Sequence, residues 1–496
     1  MHLGRKPFTG PAKRQLLTLN KNEQKDKQFG RDSSPGASEA GGLLEKRFAV
    51  LAPRSLLEIL STLRQAGFKA FVVGGCVRDM LIERPVKDWD VSTDATPEEV
   101  QAVFAKTVPT GVVHGTVTVI VEGDAFEVTT FRQDSEYPDA RHPERVFFAT
   151  DVKADLSRRD FTVNAIAYEP LSHELVSPHE GLDDIGRGIV RTVGRPLDRF
   201  REDGLRPLRA IRFACQLDFE IEKETREAIP NALDRVALVS MERVRDEVMK
   251  ILECAKPSRG FELMRETGLL ALFLLELERS RGVTQNEFHA YDVFWHNLYT
   301  CDAVPPDKPL VRLAGLLHDI GKPATWEERE GRATFYNHQH LGAEMTAGIM
   351  GRLKFSNADT EYVVRLVDNH MFDYKTEWTD GALRRFVKRV GVEAIADVFD
   401  LRIADFLGNG LRQGFPSYLE EMKNRIEDIL RKDSALTVND LAVDGNDVMR
   451  ELGIGPDKRV GILLRELLEL VLDHPELNTR EELLSRLRER KGSTSG

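Results

Sequence analysis

The chain has 496 residues, 41% hydrophobic and 30% charged, with a formal net charge of −11. That length suits several buried cores, and the longest apolar run, around Leu269–Leu275, is too short to cross a bilayer. Its four cysteines (Cys76, Cys215, Cys254 and Cys301) form no C-x-x-C pair, which argues against a structural zinc site and for a reducing, cytoplasmic setting.

The first 45 residues read as a disordered arm. They are basic and polar at the start, lack an apolar signal core, and turn rich in Ser, Gly and Ala over 30–42. Glu23 and Asp26 weaken a transit-peptide reading. Leu56–Ala66 has helical apolar spacing. The stretch Phe71-Val72-Val73-Gly74-Gly75-Cys76-Val77-Arg78-Asp79 then reads as a strand, a Gly-Gly turn and a helix, and Lys87-Asp88-Trp89-Asp90 as a second strand. Side chains two apart on a strand face the same way, so Asp88 and Asp90 are expected to point together. Paired carboxylates suit Mg²⁺, which binds through one or two of them plus substrate phosphates. The Gly-Gly turn lets backbone approach an anion closely.

Thr116–Val121 alternates as a strand, turns at Glu122-Gly123-Asp124, and continues as Ala125–Phe131. Glu127 on that second strand could lie beside Asp88 and Asp90 and complete a two-metal site, although a strand-edge glutamate facing water has the same sequence. Strands and helices interleave to about Tyr168, which indicates an α+β head with a mostly antiparallel or mixed sheet. Beyond Pro196 the pattern is almost wholly helical, with Leu205–Leu217, Thr225–Leu233, Met241–Leu252 and Gly260–Leu270 as successive helices and Ile462–Leu472 as an amphipathic one.

Charge distribution qualifies the acidic total. Between Arg187 and Arg212 the chain carries eight arginines opposed by Asp198, Glu202 and Asp203. Such a run can bind phosphates, or simply form a solvated helix face. In Arg158-Arg159-Asp160, guanidinium groups could hold phosphate oxygens while the carboxylate meets a ribose hydroxyl. In Glu202-Asp203-Gly204-Leu205-Arg206, an acceptor-only Asp203 and a donor-only Arg206 match the amino and ring-nitrogen edges of cytosine and adenine and mismatch guanine and uracil. Each wrong pairing would cost about 1–3 kcal/mol per unpaired group. A plain Glu202–Arg206 ion pair is the alternative, and both could exist with Glu202 orienting Arg206. No G-x-x-x-x-G-K-[ST] stretch occurs, so this is not a P-loop ATPase.

The ordered set (G-G-x-V-R-D, D-W-D, His114-Gly115-Thr116, E-V-T-T-F-R, R-R-D-F-T-x-N-A, then E-D-x-x-R followed by Arg209 and Arg212) resembles the class II tRNA nucleotidyltransferases, the CCA-adding enzymes of the DNA-polymerase-β-like superfamily. The resemblance covers about Arg47 to Arg488. It implies template-independent addition of CCA to the tRNA 3′ end from CTP and ATP. Asp88 and Asp90 would hold Mg²⁺ with Glu127 in support. Gly74, Gly75 and Arg78 would meet the triphosphate. Arg159, Asp160 and Asn164 would meet sugar and phosphate, and Asp203, Arg206, Arg209 and Arg212 would complete the nucleotide site. The stretch Asp139-Ala140-Arg141-His142-Pro143 occupies the place of the family's flexible loop, favouring full CCA addition over a CC-only enzyme. Ser177-Pro178-His179-Glu180-Gly181 departs from the family's hinge, which usually opens on aspartate and has glycine fourth. Bacterial poly(A) polymerases share most of these residues and form the alternative.

A second resemblance is to the HD phosphohydrolases, whose ligand pattern is H…HD…H…H…D. His296, His318, Asp319 and Asp405 would bind one divalent metal, a transition metal or Mg²⁺, with His338 and His370 available to a second. The rival to nucleotide transfer is therefore a metal-dependent phosphohydrolase. His142, His289, His340 and His474 are expected on the surface. The resulting plan is an arm (1–45), a nucleotidyltransferase head (46–170), a helical neck (171–270), an HD-type domain (271–415) and a helical tail (416–496). The oligomeric state is left open.

Overall fold

The computed structural model describes residues 36–111, 115–134, 146–286, 289–411, 414, 416–432 and 436–493. His114 and the Asp139–Pro143 stretch lie outside the described residues. The chain divides into two compact units. The first runs to Arg206 and takes in Leu217–Ala228; the second comprises Pro207–Gln216 and the chain from Ile229 onward.

The first unit is built on a seven-stranded sheet. Its strands are β1 (Ala70–Val73), β2 (Asp90–Thr93), β3 (Thr107–Gly111), β4 (Thr116–Val121), β5 (Asp124–Thr130), β8 (Ala167–Glu169) and β9 (Glu174–Val176), in the order β3-β4-β5-β2-β1-β8-β9. Two short strands, β6 (Arg132–Asp134) and β7 (Val146–Phe148), pair separately. Every neighbouring pair in the main sheet is antiparallel except β2 and β5, so the expected mixed sheet is found. Behind it Phe71, Val73, Phe131, Leu156 and Val176 form a buried apolar cluster.

Three local expectations change. A helix spans Ala37–Leu51, so structure begins inside the stretch read as an arm. Ala40, Leu44 and Phe48, four residues apart, bury one helix face, and Phe48 packs edge-on against Trp89 and Tyr168. Asp88 precedes β2 rather than lying on it, within an irregular segment that follows Pro85. The helix expected over Thr225–Leu233 stops at Ala228 and gives way to a 3-10 turn at Pro230–Ala232, as an interior proline requires.

The second unit is helical apart from the hairpin Glu327–Arg329 with Arg332–Thr334. Helices Val293–Ala303, Pro309–Leu317, His338–Arg352, Asn357–Asp368 and Ile395–Gly408 pack around a common core. Arg312 is 2% exposed there. Its Nε donates to Val304 O at 2.9 Å, and its Nη1 donates to Leu252 O and Cys254 O at 2.5 Å each. It thus satisfies carbonyls at the end of helix Met241–Leu252 that no helical partner can reach. Arg312→Ala leaves those acceptors buried and a void beside them. The expected result is a loss of about 3 kcal/mol of unfolding free energy by denaturant titration.

Among the described residues no helix is long and apolar enough to cross a membrane.

Candidate active site in the head and candidate metal centre in the helical unit

In the head, Gly74 ends β1 with φ +76° and ψ −125°, a region that only glycine occupies easily. Its N–H donates to Ile166 O at 2.9 Å. A Cβ at this position would stand 2.6 Å from Arg159 Nη1. Gly74→Ala is therefore expected to displace Arg159 and to cost about 1 kcal/mol of unfolding free energy by denaturant titration.

The short helix Gly75–Leu81 carries Arg78, which is 4% exposed. Its Nε donates to Asp79 Oδ1 at 2.9 Å, and its Nη1 donates to Asn164 Oδ1 at 2.5 Å. Asn164 Nδ2 in turn donates to Asp160 Oδ1 at 3.2 Å. Arg78 is thus linked to Asn164, 86 residues away, and through it to Asp160 in one hydrogen-bonded chain.

The parallel register of β2 on β5 places Glu127 directly opposite Asp90. Asp90 is the exposed first residue of the central strand β2, yet the protein around it partly desolvates its carboxyl and raises its pKa. Arg159 opposes that shift, and the nearby Glu127 and Asp88 carboxylates add to it. Asp88 and Glu127, each raising the proton affinity of Asp90, give it the electrostatic environment that a divalent cation relieves.

Arg159 Nη2 donates to Asp155 Oδ2 at 3.2 Å and makes a long 3.5 Å contact to Ser92 Oγ. Burial alone would raise the Asp155 carboxyl, but Arg158 and Arg159 override it and hold it below the usual range. Sequence reading missed Asp155. Its signals are the i,i+3 and i,i+4 spacings to Arg158 and Arg159 at the end of helix Val152–Ser157.

Asp203 and Arg206 do not share a helix. Helix Pro196–Glu202 ends with Asp203 as its extended C-terminal cap, and a new helix, Arg206–Leu217, begins after Gly204. Asp203 Oδ1 accepts the Leu205 N–H at 3.0 Å. Arg206 Nη1 donates to Glu202 Oε2 at 2.6 Å, Arg199 Nη1 donates to the same oxygen at 2.9 Å, and Arg206 Nη2 donates to Arg158 O at 3.2 Å. Glu202 therefore orients Arg206. Arg209 and Arg212 belong to the second unit, where Arg212 is bound to Glu247, donates to Gln216 Oε1 at 2.6 Å, and lies 3.7 Å over the Phe213 ring. Arg209 is 3.9 Å from the same glutamate. Glu247 commits both arginines to the body.

In the Ser177–Gly181 segment, Ser177 Oγ donates to His179 O at 3.1 Å, and His179 Nε2 meets Ser157 Oγ at 3.0 Å. A Cβ on Gly181 would stand 2.4 Å from Thr162 O, which explains glycine there.

In the second unit, all six residues of the HD pattern converge. His318 Nε2 lies 3.2 Å from His296 Nε2 and from Asp319 Oδ2. His296 Nε2 lies 3.1 Å from Asp405 Oδ1 and 3.5 Å from Asp319 Oδ2. On the other side of the same carboxylate, Asp319 Oδ1 is 3.2 Å from His338 Nε2 and 3.6 Å from His370 Nε2. Donors about 2.1 Å from one ion lie roughly 3–3.5 Å apart, so these spacings fit two cation positions sharing Asp319.

The tautomers agree. The Nδ1 atoms of His318, His338 and His370 face the carbonyls of Gly315, Phe335 and Val367 at 2.8, 2.7 and 2.6 Å. A carbonyl only accepts, so Nδ1 carries the proton and Nε2 offers a lone pair. His338 and His370 then turn lone pairs toward each other at 3.4 Å, an arrangement that a metal stabilises and a hydrogen bond does not. Burial pushes His370 down to about 4, keeping it neutral. For His318, the Asp319 and Asp405 carboxylates outweigh burial and raise its pKa, so an arriving metal would displace a proton there. Asp319 Oδ1 is buried and accepts no hydrogen bond among the described residues.

Three residues that the sequence did not mark as site residues border this cage. Lys322 Nζ is 2.5 Å from Asp319 Oδ2, and Arg402 Nη1 is 2.6 Å from Asp405 Oδ2. Each has an i,i+3 signal. His289, expected on the surface, packs edge-on against His296 with ring centroids 5.4 Å apart. Burial, with Lys322 nearby, lowers it to about 4. His340 and His474 are exposed, as expected; His142 lies outside the described residues.

Residues 70–191 match the poly A polymerase head domain, residues 218–280 the probable RNA and SrmB-binding site of polymerase A, and residues 277–410 the HD domain. The CCA-adding enzyme of Lactobacillus gasseri is 32% identical over 417 residues, covering 84% of this chain and 92% of that enzyme. The chain belongs to the CCA-adding enzyme family. Higher identity is confined to a shorter stretch: the CCA-adding enzymes of Lactobacillus delbrueckii and Bacillus velezensis are 45% and 48% identical over 213 and 214 residues. Those alignments span 43% of this chain and 54% of each relative, so the chain matches about half their length. A crystal structure of the Bacillus stearothermophilus CCA-adding enzyme in complex with CTP superposes with a TM-score of 0.67 at 28% identity, covering 90% of this chain and 98% of that one. The nucleotidyltransferase and HD families to which these segments belong generally use divalent metals.

Proposed function

We propose that this chain adds CCA to the 3′ end of tRNA from CTP and ATP. The observation that carries the reading is the β2–β5 register, which sets Glu127 beside Asp90 next to a glycine turn packed on Arg159. Asp88 and Asp90 would hold Mg²⁺ with Glu127 in support. One ion would lower the pKa of the terminal tRNA hydroxyl and the other would neutralise the leaving pyrophosphate. Gly74, Gly75 and Arg78 would receive the triphosphate, and Arg159, Asp160 and Asn164 the sugar and phosphate. Asp203, with Arg206 held by Glu202, would read the base. Arg209 and Arg212 are paired with Glu247 in the second unit, and any contact they make with the nucleotide would compete with that pairing. Residues 46–170, 171–270, 271–415 and 416–496 would serve as head, neck, HD-type domain and tail, and the reaction would take place in the cytoplasm.

The test supplies CTP and ATP to a tRNA lacking CCA and, separately, to an unstructured RNA oligonucleotide. Three added nucleotides on tRNA alone support the proposal. Long A tails on either acceptor would assign a poly(A) polymerase instead.

A second activity is favoured by the inward-facing Nε2 atoms around Asp319. His296, His318, Asp319 and Asp405 would hold one divalent ion, and Asp319, His338 and His370 a second. Bound there, a metal supplies an activated water for phosphoester hydrolysis.

A further inference from the structure

Each carboxylate in the HD cage carries a cation of its own. Asp405 turns Oδ1 to His296 at 3.1 Å and Oδ2 to Arg402 Nη1 at 2.6 Å. Asp319 Oδ2, which faces His296 and His318, also receives Lys322 Nζ at 2.5 Å. Neither cation is a mobile surface group. Lys322 is 7% exposed, donates to Gln285 Oε1 at 2.7 Å, and lies 5.4 Å over the Phe335 ring. The Arg402 side chain is 16% exposed and its guanidinium lies 5.9 Å from the centre of the Phe372 ring. Two negative charges are thus matched by two positive ones. The other four donors are imidazoles, three of them fixed with Nε2 inward.

Such a cage offers a divalent ion no net negative charge. A fixed cation hydrogen-bonded to a ligand oxygen lowers that oxygen's basicity and repels the ion at short range. A purely structural metal site has no use for this arrangement. A centre that must exchange its metal, and remain positive enough once loaded to draw an anionic phosphoester, does.

We infer that Lys322 and Arg402 are built-in counter-cations that hold the HD centre's metal affinity down and leave the loaded centre net positive. The inference rests on the reading of this cage as a metal centre. Lys322 and Arg402 act as positioning residues through Asp319 and Asp405. The role has an unusual sign: removing either cation tightens metal binding. Loss of a merely structural contact would leave affinity unchanged or weaken it.

Zn²⁺ affinity of the full-length chain, measured by competition with a chromophoric chelator, tests this. Asp319→Asn serves as the control that isolates binding at the cage. Lys322→Met and Arg402→Met are each expected to bind Zn²⁺ about tenfold or more tightly than the wild type, whereas Lys322→Arg keeps the wild-type value. Unchanged or weaker binding in both Met variants, with folding verified by circular dichroism, overturns the inference while leaving the metal-centre reading intact. If the wild type shows no binding that depends on Asp319, the metal-centre reading itself falls. Because the two substitutions lie on separate helical segments, failure of one to fold leaves the other as the test.

Discussion

Asp90→Asn is expected to lower nucleotide incorporation into tRNA by about 10³–10⁴-fold, measured as single-turnover extension with CTP and Mg²⁺. Asparagine keeps the shape and the β2–β5 register but offers a neutral oxygen where a metal needs charge. The loss should fall on the rate of chemistry more than on tRNA binding. Stability should move the other way. The native carboxyl is raised by desolvation and by Glu127 and Asp88. An acid whose pKa is higher folded than unfolded favours the fold when protonated and opposes it once ionised. That opposition grows as pH rises from the unfolded value through the folded one. In metal-free buffer near neutrality, Asp90→Asn should therefore melt slightly above the wild type. The difference should vanish below about pH 4 and shrink when Mg²⁺ and CTP are added.

Asp319→Ala is the second large effect. Asp319 is the one carboxylate among the six residues of the cage that faces both histidine pairs. Its removal should abolish metal retention at the cage by elemental analysis after dialysis, and lower hydrolysis of a phosphomonoester probe by about 10²-fold or more. Lys322, losing the partner 2.5 Å away, would be left buried without its counter-charge, so a lower melting temperature should accompany the loss. Nucleotide addition by the head should stay near the wild-type rate. A parallel fall in tRNA extension, in a variant that remains folded, would contradict the division of labour between the two sites.

What the sequence displayed and what it hid follow one physical distinction. Turn and strand chemistry is local. The Gly-Gly turn, the alternation over Thr116–Val121 and the pairing of Glu127 with the Asp90 strand could all be anticipated, and the register bears them out. The HD ligands were legible because their residue types and order are distinctive. Helix continuity was less so. Asp203 and Arg206 looked like neighbours on one helix, but Gly204 and the extended Asp203 break it, and Arg206 reaches its place through Glu202 instead. Asp88 was placed on a strand that starts two residues later. The Ala37–Leu51 helix was masked by a Gly- and Ser-rich composition, although Ala40, Leu44 and Phe48 kept helical spacing. Lys322, Arg402 and His289 were not legible as site residues. Their importance depends on which carboxylate or ring the tertiary fold sets against them, and spacing along the chain carries only a faint trace of that.

The head's central role is tested most directly by stepwise addition. Three tRNA acceptors, ending before CCA, after the first C and after CC, are each incubated with CTP alone and with ATP alone, and the products are resolved at single-nucleotide length. The expected result is C addition to the first two acceptors from CTP and one A on the third from ATP, with no further growth. One site, built around Asp90 and Asp203, is expected to accept both bases in order. Incorporation of C without A, of A without C, or of A in long runs would contradict it.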